Sequence, residues 1–361
     1  MDVLRPPLIT VDGRCYRINN PDPEYYETRQ CGVEWDDQAS NYNTDCTQDE
    51  PCDGREEYNI VLTDSKRYKT SFHVARVYYA PIIGTKGLTR RRLEDETQTI
   101  IKVPRGPPDQ EIVITGTSKR AVVTARRRVE QIVLSYRRKQ DPTHFISIPM
   151  FSPEVKDKFL KFKEQVLQVG QIRGVDESIF QKPEKLHLTL CTVVLTDNFE
   201  RTEAIRVMEN CKRDVIDPMM EGNSITILLS GVEYMNDDPS EVDVLFARVH
   251  ANEILQRLVD GIVDYCSDAG LIDKQFERVK LHVTIMNTLF RDTRREGFGK
   301  SKKRETFNGA PILEMFQDFE FGEVTVDTIH LSTRFTTSDT TGYYQATTEI
   351  SLFLQTGEIL S

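Results

Sequence analysis

Lys185-Leu186-His187-Leu188-Thr189-Leu190 and Lys280-Leu281-His282-Val283-Thr284-Ile285 are near-copies of one phrase, 95 residues apart. The 361-residue chain holds only six histidines, and two of them fall in these copies. Each copy is apolar in the β manner and reads as a strand. In a strand residues i and i+2 point the same way, so His187 shares a face with Thr189, and His282 with Thr284. A single strand histidine is ordinarily a satisfied core residue; two in matched His-x-Thr settings are candidate chemistry. Imidazole, titrating near neutral pH, either takes or gives a proton there. The repeat predicts an internal duplication whose halves meet around a pseudo-twofold axis. Strand–helix patterns over 145–168 and 199–215 surround the first copy, and one over 242–270 precedes the second.

Working back toward the N-terminus, residues 72–140 carry a net charge of +9, between flanks of −7 (1–71) and −12 (141–361). The whole-chain charge of −10 therefore hides a basic block suited to a polyanion. Within it the pattern predicts a strand over 73–79, a short helix from 81, and a helix over 88–97. Strands over 99–103 and 112–116 follow, then a long helix capped by Ser118 and running to about 139. Val122, Ala125, Val129, Ile132, Val133 and Tyr136 recur every three or four residues and form its packing stripe. Between the first two helices lies Ile82-Ile83-Gly84-Thr85-Lys86-Gly87. Gly84 and Gly87 let a sugar-phosphate backbone approach the main chain, while Lys86 and the following helix N-terminus supply positive charge and free N–H groups.

The β-α-Gly-x-x-Gly-α-β-β-α order over 72–140 resembles a type I KH domain. That resemblance implies single-stranded RNA bound through Ile83, Gly84, Thr85, Lys86, Gly87, Arg90 and Arg91, with protein contact alone as the other reading. Arg90 stands where KH sequences usually place an aliphatic residue. The paired His-x-Thr phrases resemble the 2H phosphoesterase superfamily over 143–361. The expected fold class is thus α+β: a type I KH domain at 72–140, then a two-lobed, pseudo-twofold 2H phosphoesterase-like domain at 141–361. The superfamily implies a phosphodiesterase in which His187 and His282 serve as general acid and base. Thr189 and Thr284 then hold the non-bridging oxygens as charge develops. No metal or other cofactor is expected. The alternative is a non-catalytic adaptor that binds RNA or nucleotide in the same cleft.

Along essentially the whole chain, VLRPPLITVDGRCYRIN, IIGTKG, SIFQKPEKLHLTL, EYMNDDP and VKLHVTIMNTLFR resemble a family of nuclear complex subunits. This implies partnership with a helicase and further subunits of a coactivator complex. It also implies roles in transcription coactivation, RNA processing and the response to DNA alkylation damage. The remaining segments are read as follows. Residues 1–71 are expected to form a partner-docking strip with a hairpin at Asp12-Gly13, a strand tucked against the chain's own body being the other reading, and an acidic disordered stretch over 20–57. Asp141-Pro142-Thr143 is almost no linker, so the two domains are expected to act as one rigid unit. Residues 291–309 read as a basic flexible loop, with an RNA-contacting flap as the other reading. His330, Phe145 and Tyr234 are expected to pack in strands or core, the cleft being their alternative. Seven scattered cysteines without a Cys-x-x-Cys pair fit neither a disulfide framework nor a zinc site, and suggest a reducing compartment. No apolar run is long enough to span a membrane.

Overall fold

The computed structural model describes residues 8–11, 14–17, 58–106, 111–150, 152–220, 224–235, 237–250, 253–274, 276–291 and 304–352. The acidic stretch over 20–57 and the middle of the basic loop lie outside them. The chain divides into two units, 1–57 and 58–361. In the first, β1 (Leu8–Val11) pairs antiparallel with β2 (Arg14–Arg17), Val11 opposite Arg14; the turn expected at Asp12-Gly13 lies outside the described residues.

The second unit opens with a four-stranded antiparallel sheet. Its strands are β3 (Val61–Leu62), β4 (Tyr68–Phe72), β5 (Thr99–Lys102) and β6 (Ile112–Gly116), in the order β3-β4-β6-β5. Helices α1 (Tyr79–Ile83), α2 (Leu88–Thr97) and α3 (Lys119–Arg137) complete the β-α-α-β-β-α order. One expectation is corrected: the strand predicted over 73–79 lies earlier, at β4, ahead of the boundary at 72. Val74, Ala75, Tyr78 and Ile82 are the buried positions there, and that spacing of three and four is helical. The β-branched and aromatic content of 73–79 gives a strand-like alternation that hides this period. Ser118 caps α3 as expected, its Oγ accepting from Ala121 N at 3.2 Å. Val122, Ala125 and Val129 are buried, whereas Tyr136 at the end of the stripe is exposed.

Almost nothing separates α3 from β7 (His144–Pro149), which leads into α4 (Pro153–Gln168) and β8 (His187–Val193). After α5 (Asn198–Cys211), α6 (Asp217–Met220) and β9 (Thr226–Tyr234), the strand–helix–strand unit recurs as β10 (Val244–His250), α7 (Glu253–Asp268) and β11 (His282–Asn287). Helix α8 (Ala310–Phe316) and strands β12 (Glu320–Thr325), β13 (Thr328–Thr333) and β14 (Ala346–Ser351) follow. One sheet in the order β12-β9-β10-β11-β8-β7-β13-β14 unites both lobes.

The duplication extends to irregularities. Opposite β7, Ile146 faces Cys191 and Ser147 faces Thr189, skipping Leu190; opposite β10, Leu245 faces Met286 and Phe246 faces Thr284, skipping Ile285. Each bulge falls on the third residue after the motif histidine, where it re-aims the side chains around it. Beneath the sheet, α4 buries Val155, Phe159, Phe162 and Val166 at intervals of three and four, and α7 buries Leu255, Leu258, Val259 and Ile262. Each such side chain contributes roughly 1.5–3 kcal/mol of burial, which fixes the platform under the motif strands.

Candidate active site

Where the lobes meet, Leu188 of β8 pairs with Val283 of β11. Both are buried in the main core, so the alternate residues His187, Thr189, His282 and Thr284 share the opposite face and keep partial access to solvent. One antiparallel step from that pair sets His187 across from Thr284, and His282 across from Thr189. The local axis passes between Leu188 and Val283. Each histidine thereby gains the other motif's threonine as its neighbour, an arrangement that strand alternation within one copy does not reveal.

The two imidazoles are oriented alike. His187 Nδ1 donates to Lys185 O at 2.7 Å, and His282 Nδ1 donates to Lys280 O at 2.8 Å. A carbonyl only accepts, so both rings carry their proton on Nδ1 and leave the Nε2 lone pair free. Aromatic rings brace them: Phe145 at 5.1 Å and Tyr344 at 5.4 Å from His187, and Phe246 at 5.4 Å from His282. The preceding lysines match too, Lys185 Nζ lying 4.5 Å from the Tyr344 ring centre and Lys280 Nζ 5.0 Å from that of Phe246. Burial, with the proximity of His282, pushes His187 down to about 4 against the opposing pull of its carbonyl partner. His282 is lowered as well, by burial and by the charge of Lys280. At neutral pH both rings rest uncharged.

Tyr343 and Tyr344 come from the loop joining β13 to β14, far along the chain from either motif. Ser147 Oγ and Tyr343 Oη bond at 2.9 Å, and Lys185 Nζ ties the loop down by donating to Thr336 O and Thr337 Oγ1, both at 2.7 Å. Phe145 therefore belongs to the cleft wall, although core packing was expected. Tyr234 lies opposite Leu245 and packs against the core, as expected. His330 lies across from Ser147 and meets the Tyr343 ring at 5.4 Å. Beyond the tyrosines a groove of about 410 Å³, lined by Pro149, Asp327, His330, Tyr343 and Glu349 among others, adjoins His187, across from Pro149, and contains neither motif histidine. Lys185 and Lys280 were legible, since lysine is part of the repeated phrase; Tyr343, Tyr344 and Phe246 carried no local signal. Among the described residues no group of three or more His, Cys, Asp and Glu is placed to hold a metal ion.

In the basic domain Gly84 and Gly87 adopt φ of 69° and 79°, and Lys86 between them 53°. A Cβ on Gly84 would stand 2.1 Å from Thr89 Oγ1, whereas one on Gly87 would meet nothing within 4 Å. Thr85, Lys86 and Arg91 are exposed, Ile83 is half-buried, and the half-buried Arg90 reaches Glu94 at 3.7 Å. Arg90 thus pairs with Glu94 one turn along α2, while Leu93 is turned into the core. Several other arginines are engaged elsewhere. Arg126 is sandwiched between Tyr58 and Phe72 at 4.1 and 4.4 Å, Arg128 pairs with Glu96, and Arg137 pairs with Glu200 of α5.

Two family models match the chain: the KH domain over residues 69–131, and the AKAP7 2'5' RNA ligase-like domain over 142–352. The activating signal cointegrator 1 complex subunit 1 of Mus musculus is 38% identical over 358 residues, covering 95% of this chain and 98% of that protein. Among solved structures, TT0787 of Thermus thermophilus is 18% identical, covering 58% of this chain and 97% of its own, with a TM-score of 0.37. LigT of E. coli, complexed with NADP+, is 12% identical and covers 60% and 100%, with a TM-score of 0.35. The fold class is accordingly a KH domain followed by a 2H phosphoesterase-like domain.

Proposed function

Because the chain belongs to the activating signal cointegrator 1 complex subunit 1 family, we propose that it is a single-stranded RNA-binding, metal-independent phosphodiesterase or RNA-end-processing subunit. One observation carries this reading: the two His-x-Thr motifs meet as a diagonal quartet with both Nε2 atoms unprotonated. His187, the ring held most firmly neutral, takes the proton of the attacking water or ribose hydroxyl at Nε2. A scissile phosphate arriving between the rings adds negative charge and favours protonation of His282. Its Nε2–H then donates to the leaving oxygen. Thr189 and Thr284 donate to the non-bridging oxygens, and one proton enters and one leaves per turnover. The Gly84–Gly87 turn holds the strand by its sugar-phosphate backbone.

The test uses labelled single-stranded RNAs bearing a hydroxyl, a phosphate or a 2′,3′-cyclic phosphate at the 3′ end, incubated with the full chain in EDTA. Wild type is expected to yield product, and His187→Ala/His282→Ala to lose about 10⁴-fold or more of the rate. Equal product from both proteins, or none from either on all three ends, sinks the catalytic reading.

The adaptor reading draws on the same pKa pattern, since two neutral imidazoles leave no resting acid. It predicts that RNA binding and complex assembly persist without either histidine. In the cell we propose a nuclear place beside a helicase and other subunits of the activating signal cointegrator 1 complex, serving transcription coactivation and alkylation repair. Kinship along 95% of the chain with a complex subunit supports this. Affinity capture of the tagged chain from nuclear extract, with no helicase recovered, would speak against it.

A further inference from the structure

Phe335 is 87% exposed and holds a φ of 61°, the left-handed region that a bulky side chain occupies only at a cost. Glycine or asparagine fills such a turn without that penalty, so the requirements of the turn do not account for phenylalanine. Its neighbours are pinned on both sides. Arg334 N donates to Thr143 O at 2.9 Å and Arg334 Nη1 to Pro142 O at 2.8 Å. Thr336 Oγ1 donates to Thr333 O at 2.7 Å and accepts from Gln345 N at 3.0 Å, and Thr336 O accepts from Lys185 Nζ. The loop is therefore fastened at one end to the junction following the KH domain and at the other to the lysine that precedes His187. Between those fastenings the Phe335 ring is held out in water, with the Arg334 guanidinium 4.7 Å from its centre. A rigid aromatic with a stacked cation, without an apolar partner among the described residues, is the chemistry that receives a nucleobase.

We propose that Phe335 is a stacking site for one nucleobase of the single-stranded RNA, at a position between the nucleotides held by the KH domain and the phosphate in the His187/His282 cleft. Arg334 supplies charge to the flanking phosphate while covering one face of the ring. This rests on the RNA-binding reading above. It adds a subsite that neither the Gly-x-x-Gly turn nor the His-x-Thr motifs contain.

The experiment measures anisotropy of a fluorescein-labelled oligouridylate of about ten nucleotides, long enough to exceed the roughly four that a KH groove spans. The 361-residue His187→Ala/His282→Ala chain is the parent, so turnover does not consume the probe. Phe335→Ala and Phe335→Leu are expected to weaken binding roughly 5- to 100-fold, the range for losing one base–aromatic stack. Phe335→Trp is expected to stay close to the parent. Phe335→Gly, which relieves the backbone, should melt at or above the parent yet bind like Phe335→Ala. A lower melting temperature for that variant means the ring serves the fold, and overturns the proposal. Parent-like affinity of Phe335→Ala or Phe335→Leu also overturns it and leaves the ring to a protein partner. A parent that binds no RNA overturns the RNA reading itself, an outcome distinct from the other two.

Discussion

At the scale of single residues, the proposed chemistry turns on where two protons sit. The carbonyls of Lys185 and Lys280 fix both tautomers, and burial keeps both rings uncharged. The consequence for stability has a definite sign. An unfolded imidazole titrates near 6.5 and folded His187 at about 4, so between those values the unfolded chain binds the extra proton. Stability is complete above pH 6.5 and falls as pH drops toward 4, by about 3 kcal/mol from this group. His187→Gln should flatten the pH dependence of urea-unfolding free energies across that window; an unchanged slope would mean the ring titrates normally. In the proposed reaction the same shifts set the pH profile. One imidazole must be bare and the other protonated, so kcat/KM should peak on the acid side of neutrality, as a property of the pair. Bound phosphate favours imidazolium, so the kcat profile should lie at higher pH than that of kcat/KM. A kcat/KM optimum above pH 8 would contradict the assignment.

At the scale of elements, the Gly-x-x-Gly turn separates fold from binding within four residues. Gly84 is needed for both its φ and its contact with Thr89, so Gly84→Ala should destabilise the chain by about 1–3 kcal/mol. Lys86 is exposed, and Lys86→Asp should leave the melting temperature within a degree or two while weakening single-stranded RNA binding and reducing its salt slope by about 1. Should Lys86→Asp leave the salt dependence untouched, the turn does not touch phosphate. How much was legible follows from what each element needs. The motif strands were readable because their period is local and occurs twice. The matching bulges at Leu190 and Ile285 were not, since a bulge depends on the partner strand. Residues 73–79 misled because propensity favoured a strand while burial of Tyr78 and Ile82 favoured a helix. Tyr343 and Tyr344 reach the cleft through the Lys185 anchor and the Ser147–Tyr343 bond, contacts spanning 151 and 196 residues that no window of sequence contains.

At the scale of the whole molecule, the +9 block proves to be divided between two tasks. Lys86 and Arg91 lie on the exposed turn and helix, while Arg137 and Arg138 turn toward the second domain. Arg137 reaches Glu200 with side chains only 24% and 10% exposed, and Arg138 meets Asp273 at 2.8 Å. His73 adds a 2.8 Å bond to Asp197 and stacks on Phe199 with ring centres 4.1 Å apart. Thr143 Oγ1 donates to Leu195 O at 3.1 Å and accepts from Leu195 N at 2.8 Å, so the short junction is itself stitched to the end of β8. A seam built this way transmits unfolding from one domain to the other. Wild type should therefore melt in one calorimetric transition whose van't Hoff and calorimetric enthalpies agree. Arg137→Ala removes a charge-assisted partner and leaves Glu200 in a half-buried site, a loss of about 1–3 kcal/mol. Combined with Asp197→Ala, which strips His73 of its acceptor, it should split the melt into two transitions. The same double variant should bind a short RNA that occupies only the KH turn as before, and lose affinity for one long enough to enter the cleft, because two loosely tethered sites no longer hold one strand in register. A single transition in the double variant would mean that the junction alone couples the domains and that these side chains do not.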